Sequence, residues 1–435
     1  MLPYITIRKK FWIVLSIASM WMVASIFLSL PWLSDLSGVV GAPLAVFLIA
    51  FIAIVPGFMN AFVVASMLLD NRPARVKPRR YPPVTLLIPA YNEAVSIRST
   101  IESVLNQDYL GELTILLIND GSSDGTVQEV RLMQLENPRL RLIDLRHNGG
   151  KSAALNEGLK QCETDLVVSV DADCWIKSNG VRNLVERYLG DPPNTAAVAG
   201  AILIRNSRQN WLCKAQEWDY FLGIAAVKRV QSLFQGTLVA QGAFSLYEKA
   251  AIERVGGWPQ TVGEDIVLTW RLLAQGYRVG HASDACAFTN CPDTVWKFVK
   301  QRQRWSRGLI EAFRDSPRLM FKSRWSSMFI VWNAIFPLMD IAYTVGFIPG
   351  LFLACFGYFW IVGPMTLALI PPGLLLTRVM YVAEARMFFA EDLKVRKNYM
   401  GFLSYTLAYG LILQPACVYG YFSEILGLRK NWGTK

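Results

Sequence analysis

The hydropathy pattern divides the chain into apolar blocks at both ends and a mixed middle. Residues 11–30 run twenty positions without a charge, which is about the length a helix needs to cross a hydrocarbon core of ~30 Å. The run follows Arg8-Lys9-Lys10, exceeds the apolar region of a secretory signal and has no small-x-small cleavage pattern behind it, so it is expected to stay in the mature protein. Residues 31–38, with Asp35 as their only charge, predict a loop. A second apolar run over 39–69 ends at Arg72, Arg75, Lys77, Arg79 and Arg80. Basic residues flank the pair and not the connection, which predicts a membrane hairpin with both ends cytoplasmic.

From residue 84 the pattern changes to short apolar runs at 84–89, 115–118 and 166–170 with helical stretches between them. Strand and helix alternating at this spacing predict a parallel, helix-covered sheet of the nucleotide-binding kind. Ligands in such sheets sit beyond the C-terminal strand ends. Around Gln301, Lys297, Lys300, Arg304 and Arg307 recur at helical steps, while Val295, Trp296, Val299, Trp305, Leu309 and Phe313 are apolar. That is an amphipathic helix, whose plainest place is the membrane interface with its cations among lipid phosphates.

Beyond Trp325 the membrane signal returns. Residues 326–347 and 348–370, split by Gly346, Pro349 and Gly350, predict two crossings, and 401–426 another. Residues 374–390 carry Arg378, Glu384 and Arg386 and fit either an interface or a pore lining; with this segment as a crossing the C-terminus is cytoplasmic, without it outside. Asp340 is either a polar contact inside a helix or a channel-lining group. The expected organisation is a transmembrane hairpin (1–80), a cytoplasmic domain (81–293), amphipathic interface helices (294–325) and C-terminal membrane helices (326–435).

Composition agrees with a membrane protein carrying one soluble domain. The chain is 53% hydrophobic and 18% charged with a net charge of +11, and its mean hydropathy is +0.30. The positive balance suits anionic lipid or an anionic substrate. No zinc-finger spacing, RNP pattern or basic tail supports nucleic acid. The seven cysteines include no CxxC pair and five fall in the middle domain, which predicts free thiols. His281 reads as a structural histidine, and Trp211, Trp218, Tyr220 and Phe221 as either an acceptor path or core packing.

The candidate chemistry falls at the strand ends. Ala90-Tyr91-Asn92-Glu93 closes the first strand, and Asn119-Asp120-Gly121-Ser122 the second, where Asp120 can accept hydrogen bonds from a base or ribose. Lys151 opens a helix after His147-Asn148-Gly149-Gly150, near backbone N–H groups that favour anions, but lacks the spacing of a P-loop. Asp171-Ala172-Asp173 can place one carboxylate on a nucleotide and the other on a hard divalent ion, Mg2+ or Mn2+ in preference to zinc. In Gly263-Glu264-Asp265 the acidic pair is either a helix start with favourable dipole charges or the site of a general base, Asp265. Arg304 can fork onto a diphosphate leaving group, and an indole such as Trp305 can stack on a sugar ring.

In order and spacing, Tyr91-Asn92-Glu93, Asn119-Asp120-Gly121-Ser122, Asp171-Ala172-Asp173, Gly263-Glu264-Asp265 and Gln301-Arg302-Gln303-Arg304-Trp305 resemble the processive, membrane-embedded family 2 glycosyltransferases. That group contains poly-N-acetylglucosamine, hyaluronan, chitin and cellulose synthases. The resemblance implies an α/β GT-A-type cytoplasmic domain inserted between transmembrane α-helices. It implies that Tyr91, Asn92, Glu93, Asp120 and Lys151 form the uridine side and that Asp171 contacts the nucleotide. Asp173 would ligate the metal, Asp265 would act as base with Glu264 beside it on the substrate, Gln301 and Arg304 would bind the diphosphate, and Trp305 would shape the acceptor terminus. Gln241-Gly242-Ala243-Phe244 resembles the acceptor-side loop. Gly263 stands where cellulose synthases and many poly-N-acetylglucosamine synthases have Thr.

The expected function is therefore an inverting polymerase that builds a β-linked polysaccharide from a UDP-sugar, UDP-N-acetylglucosamine foremost, and moves it across the inner or plasma membrane. Its partners would be the UDP-sugar donor, the growing polysaccharide, membrane lipid, and a small membrane subunit or export partner. Transfer of one sugar to a membrane lipid and a non-catalytic nucleotide-sugar-binding subunit are the alternatives.

Overall fold

The computed structural model describes residues 5–70, 76–234, 236–393 and 397–430. Two helices, α1 (Ile7–Val40) and α2 (Ala42–Leu68), form the N-terminal hairpin. They turn on Gly41 alone, whose φ of 83° lies in the left-handed region. The loop expected over 31–38 is absent, because α1 continues through Pro31. A proline removes one backbone bond, whereas opening the helix in an apolar setting would strand several.

Eight strands form one sheet: β1 (Val84–Ala90), β2 (Leu113–Asp120), β3 (Leu140–Leu145), β4 (Leu166–Val170), β5 (Trp175–Ile176), β6 (Thr195–Ile204), β7 (Phe244–Glu248) and β8 (Arg278–Thr289). Their order is β3-β2-β1-β4-β7-β6-β8-β5. The expected parallel sheet is present from β3 to β4, with Val84 paired to Leu113 on one side and Leu166 on the other. It reverses at β7, which runs antiparallel to both β4 and β6. The reversal has a structural consequence: β7 begins where β4 ends, and Asp171 N–H bonds the Ala243 carbonyl at 3.3 Å. Helix α3 (Lys151–Lys160) lies on the sheet so closely that a Cβ on Gly158 would come within 2.8 Å of Ile118 Cδ1.

Helix α4 starts at Trp211–Trp218, passes through a π-helical stretch Asp219–Ala226 and ends with Val227–Leu233. Helix α5 (Glu264–Ala274) carries the acidic pair, and α6 (Val295–Asp315) is the amphipathic helix read from the sequence. Its cations do not all face outward: Arg302 and Arg307 are buried, and Arg307 pairs with Glu424 at 3.0 Å, because the ridge it belongs to is covered by another helix.

That covering helix comes from the C-terminal part. α7 (Trp325–Ala354) is one helix through Gly346, Pro349 and Gly350, so the predicted break at 348 is not present; a π-turn at Tyr343–Phe347 accommodates the proline. After an irregular stretch, α8 (Pro364–Ala390) merges the end of one predicted crossing with the ambiguous charged segment. α9 (Tyr399–Ile425) follows. Among the described residues, α1, α2, α7 and α9 are long and apolar enough to cross a membrane.

Contacts sort the helix ends. Trp32 Nε1 donates to the Trp360 carbonyl at 2.8 Å, and Ile361 packs beside Leu36 and Ala45, so the α1–α2 and α7–α8 turns meet at one end. At the other end Phe11 packs on Phe234 and Trp325, Arg229 bridges Asp70 and Glu384, and Asn179 donates to Glu391. α9 lies alongside α6, from Phe298 against Tyr409 to Arg314 against Glu424. Asn398, just before it, donates to the Lys214 carbonyl of the sheet domain, and Arg307 of α6 donates to the Leu428 and Arg429 carbonyls just beyond it.

Candidate active site

The loops after β1 and β2 are stitched to each other. Asn92 adopts a φ of 55°, which asparagine tolerates better than most residues. Its N–H donates to Ser122 Oγ at 3.0 Å and its Oδ1 accepts from Ser123 N–H at 2.9 Å. Glu93 accepts from Ser96 Oγ at 2.6 Å, and Tyr91 is exposed at the rim. Asp120 is buried, and its two oxygens accept from Gly149 and Gly150 N–H at 2.8 Å each. Burial raises its pKa despite those two bonds, which act in the opposite direction. The sequence reading gave Asp120 a base or ribose; here it fastens the loop that sets the start of α3, and hence Lys151.

Lys151 is the hub of the site. Its Nζ lies 2.5 Å from Asp171 and 3.2 Å from Glu264. Burial alone would pull the ammonium down, but these carboxylates outweigh it and hold the pKa well above the ordinary lysine value. Glu264 is buried, and that burial lifts its pKa against the opposing pull of Lys151 and Arg304. Gly242 of the predicted acceptor loop approaches the same pair; a Cβ there would lie 2.6 Å from Lys151 Nζ. Asp265 lies close enough for its charge to act on both Lys151 and Glu264, while its Oδ1 accepts Ile266 N–H at 2.8 Å and its carbonyl accepts from Thr269 Oγ1 at 2.7 Å.

Asp171 and Asp173 present carboxylate oxygens that lie, with Cys174 Sγ, within 4.8 Å of one another. Cys174 is fully buried, and burial together with Asp173 and Asp171 raises its thiol well above the usual range. A protonated thiol is a poor ligand, so the usable donors are oxygens, which fit a hard divalent cation.

On α6, Arg304 lies close enough for its charge to act on Glu264. Gln301 Oε1 and Arg304 Nε are buried with no hydrogen-bond partner among the described residues. Buried polar atoms left open in this way fit a ligand that brings its own acceptors and donors. Trp305 is 38% exposed, and its indole is covered on one side by the Arg302 guanidinium, 4.2 Å from the ring centroid. Arg302 is in turn bonded to Asp219 at 2.8 Å, and Tyr409 Oη donates to the same carboxylate at 2.9 Å.

Several of these groups escaped sequence reading. Asp219, Tyr409 and Glu311, whose Oε2 accepts Gly263 N–H at 3.0 Å, are isolated polar residues in apolar or helical stretches. Arg302 lies inside the quoted clamp, three residues before Trp305, a helical spacing that could have flagged it. Of the aromatic residues read as either path or packing, Tyr220 lies 6.3 Å from Trp305, whereas Phe221 stacks on Phe388 and Trp218 lies against Tyr381 and Phe402. His281 is buried with Nδ1 3.1 Å from the Ala199 carbonyl, and all seven cysteines are free.

A parallel half-sheet, an antiparallel strand that returns beside a paired aspartate motif, and a cationic helix beyond them make a GT-A-like α/β domain. Residues 85–256 match the model of glycosyl transferase family 2. It is similar to the poly-beta-1,6-N-acetyl-D-glucosamine synthase of Staphylococcus aureus (strain COL), at 33% identity over 258 residues, 59% of this chain and 62% of that one. The enzyme of the same name from Staphylococcus epidermidis is 33% identical over 249 residues, 57% of this chain and 60% of that one. The chain thus spans about three fifths of the length of these curated relatives. Among solved structures, a mannosyltransferase from Pyrobaculum calidifontis in complex with GDP-Man and Mn2+ shares the fold with a TM-score of 0.59 at 19% identity, covering 88% of this chain and 99% of that one.

Proposed function

We propose that the chain is a processive inverting glycosyltransferase that polymerises a β-linked polysaccharide from a UDP-sugar and passes it through the membrane. UDP-N-acetylglucosamine is the favoured donor, in keeping with the relatives' names. The observation that carries the reading is the meeting of Lys151, Asp171 and Glu264 within the field of Arg304, with polar atoms of Gln301 and Arg304 left open on α6. Asn92, Glu93 and the loop fastened by Asp120 hold the uridine, with Tyr91 at the rim. Asp171 and Asp173 hold Mg2+ or Mn2+, which when bound supplies positive charge to the diphosphate. Asp265 takes the proton from the acceptor hydroxyl as that oxygen attacks the anomeric carbon, while Gln301 and Arg304 stabilise the departing diphosphate. Trp305, held flat by Arg302, carries the acceptor sugar.

The catalytic domain (81–293) and clamp (294–325) lie on the cytoplasmic side of the inner or plasma membrane, between the hairpin (1–80) and the C-terminal helices (326–435). We assign the crossings to α1, α2, α7 and α8; α8 leads from the end where the α1–α2 and α7–α8 turns meet back to Glu391, which Asn179 of the sheet domain bonds. α9, although long and apolar enough to cross, stays on the cytoplasmic face in this reading, which is supported by the bond of Asn398 to Lys214 of the sheet domain and of Leu428 to Arg307 of α6. The growing chain and lipid are its partners, with a small membrane subunit or export partner completing the assembly.

The test uses purified protein in lipid nanodiscs with Mg2+ or Mn2+ and a panel of radiolabelled UDP-sugars, following UDP release and product size. High-molecular-weight product from one donor, lost in Asp265→Asn, is expected. A single lipid-extractable sugar, or no turnover with any donor, overturns the polymerase reading.

A further inference from the structure

Lys228 stands out among the buried charges. It is 9% exposed in the last turns of α4, and among the described residues no carboxylate or carbonyl pairs with its ammonium. Its neighbour Arg229 shows the ordinary solution, bridging Asp70 at 2.5 Å and Glu384 at 3.3 Å. Leaving an amine inside a protein without a partner is costly, and a ligand oxygen is one way to repay that cost.

The surroundings show which ligand. Gln231, one turn further along the same face, accepts Leu238 N–H at 3.1 Å. The segment after Leu238 is bonded to the helix of the base: Ala240 N–H donates to Thr269 Oγ1 at 2.9 Å, and that hydroxyl donates to the Asp265 carbonyl at 2.7 Å. Gln241 and Gly242 of the acceptor-side loop come next. Lys228 is thus linked through this segment to the helix of the base, and the charge of Asp265 reaches it, whereas the cation of the donor side, Lys151, is already engaged by Asp171 and Glu264. Burial, only partly opposed by the field of Asp265, pulls the Lys228 ammonium down to about 7. No ion pair joins the two groups, although the charge of Asp265 reaches Lys228.

Resting on the polymerase reading, we propose that Lys228 binds the acceptor: its Nζ hydrogen-bonds a hydroxyl or amide carbonyl oxygen of the terminal acceptor sugar and holds the attacking hydroxyl against Asp265. The amine makes no covalent bond and takes no part in binding the donor.

The experiment compares full-length wild type, Lys228→Met and Lys228→Gln in nanodiscs. It measures sugar incorporation, KM for soluble N-acetylglucosamine oligomers, UDP affinity, and UDP released to water without incorporation. In Lys228→Met, acceptor KM rises and incorporation falls by about tenfold or more, the worth of one lost hydrogen bond to a partly charged donor. UDP affinity and donor hydrolysis stay within about twofold of wild type, and Lys228→Gln, which keeps an N–H donor, recovers part of the loss. Wild-type acceptor KM in Lys228→Met overturns the proposal. If that variant also loses UDP affinity, its fold is damaged and Lys228→Gln decides: UDP affinity retained with wild-type acceptor KM overturns the proposal, and a raised acceptor KM upholds it. A wild type that polymerises no UDP-sugar instead removes the function on which the proposal stands.

Discussion

The turn that carries Asp265, the proposed base, is pressed backbone to backbone against α6. A Cβ on Gly263 would lie 2.5 Å from Gly308 Cα and 2.9 Å from Ile266 Cγ2, and one on Gly308 would lie 2.7 Å from Gly263 Cα. Since backbone cannot rotate away, Gly263→Ala must part the two elements by about 1 Å to restore ordinary carbon contact near ~3.5–4.0 Å. Overpacking of this kind costs about 1–3 kcal/mol. The same movement stretches the Gly263 N–H bond to the Glu311 carboxylate, now 3.0 Å, and displaces Asp265 two residues on. A displacement of about 1 Å at a reacting group costs about a hundredfold in rate. We expect Gly263→Ala to lower incorporation about 10–100-fold, with UDP affinity retained because Lys151 and Asp171 lie on other elements. Gly308→Ala should reproduce the effect from the opposite side. Radiolabelled incorporation, paired with UDP binding, reads the result; wild-type turnover in both variants would refute the claim that the contact positions the base.

Three further outcomes follow from the geometry. Arg302→Met leaves Asp219 buried with Tyr409 as its remaining partner, which should destabilise the protein by about 3–5 kcal/mol and appear as a lowered Tm, whereas Arg302→Lys should lose less. Asp173→Asn removes one anionic oxygen donor and should raise the Mn2+ concentration needed for half-maximal activity by about tenfold or more, with an unchanged requirement counting against the metal assignment. A membrane-impermeant maleimide should label the exposed Cys355 from outside intact cells, but Leu428→Cys in a Cys355→Ser background only after permeabilisation. Labelling of position 428 from outside would make α9 a crossing.

Helix and strand identity were written locally. The uncharged run behind Arg8-Lys9-Lys10, the short apolar runs at β1, β2 and β4, and the helical recurrence of cations on α6 each follow from side-chain period and burial, which neighbouring residues set. The motifs could be read at strand ends for the same reason, and the structure brings Lys151, Asp171 and Glu264 together with Arg304 near Glu264. Pairing across the chain was not written locally. The reversal at β7 depends on where an entering strand finds free backbone edges, and the partners of Asp120, Arg307 and Arg302 come from 29, 117 and 83 residues away. The partners of α9 were hidden in the same way: its length and apolar sequence suit a crossing, and nothing in it names the α6 side chains Phe298, Arg307 and Arg314 that it meets.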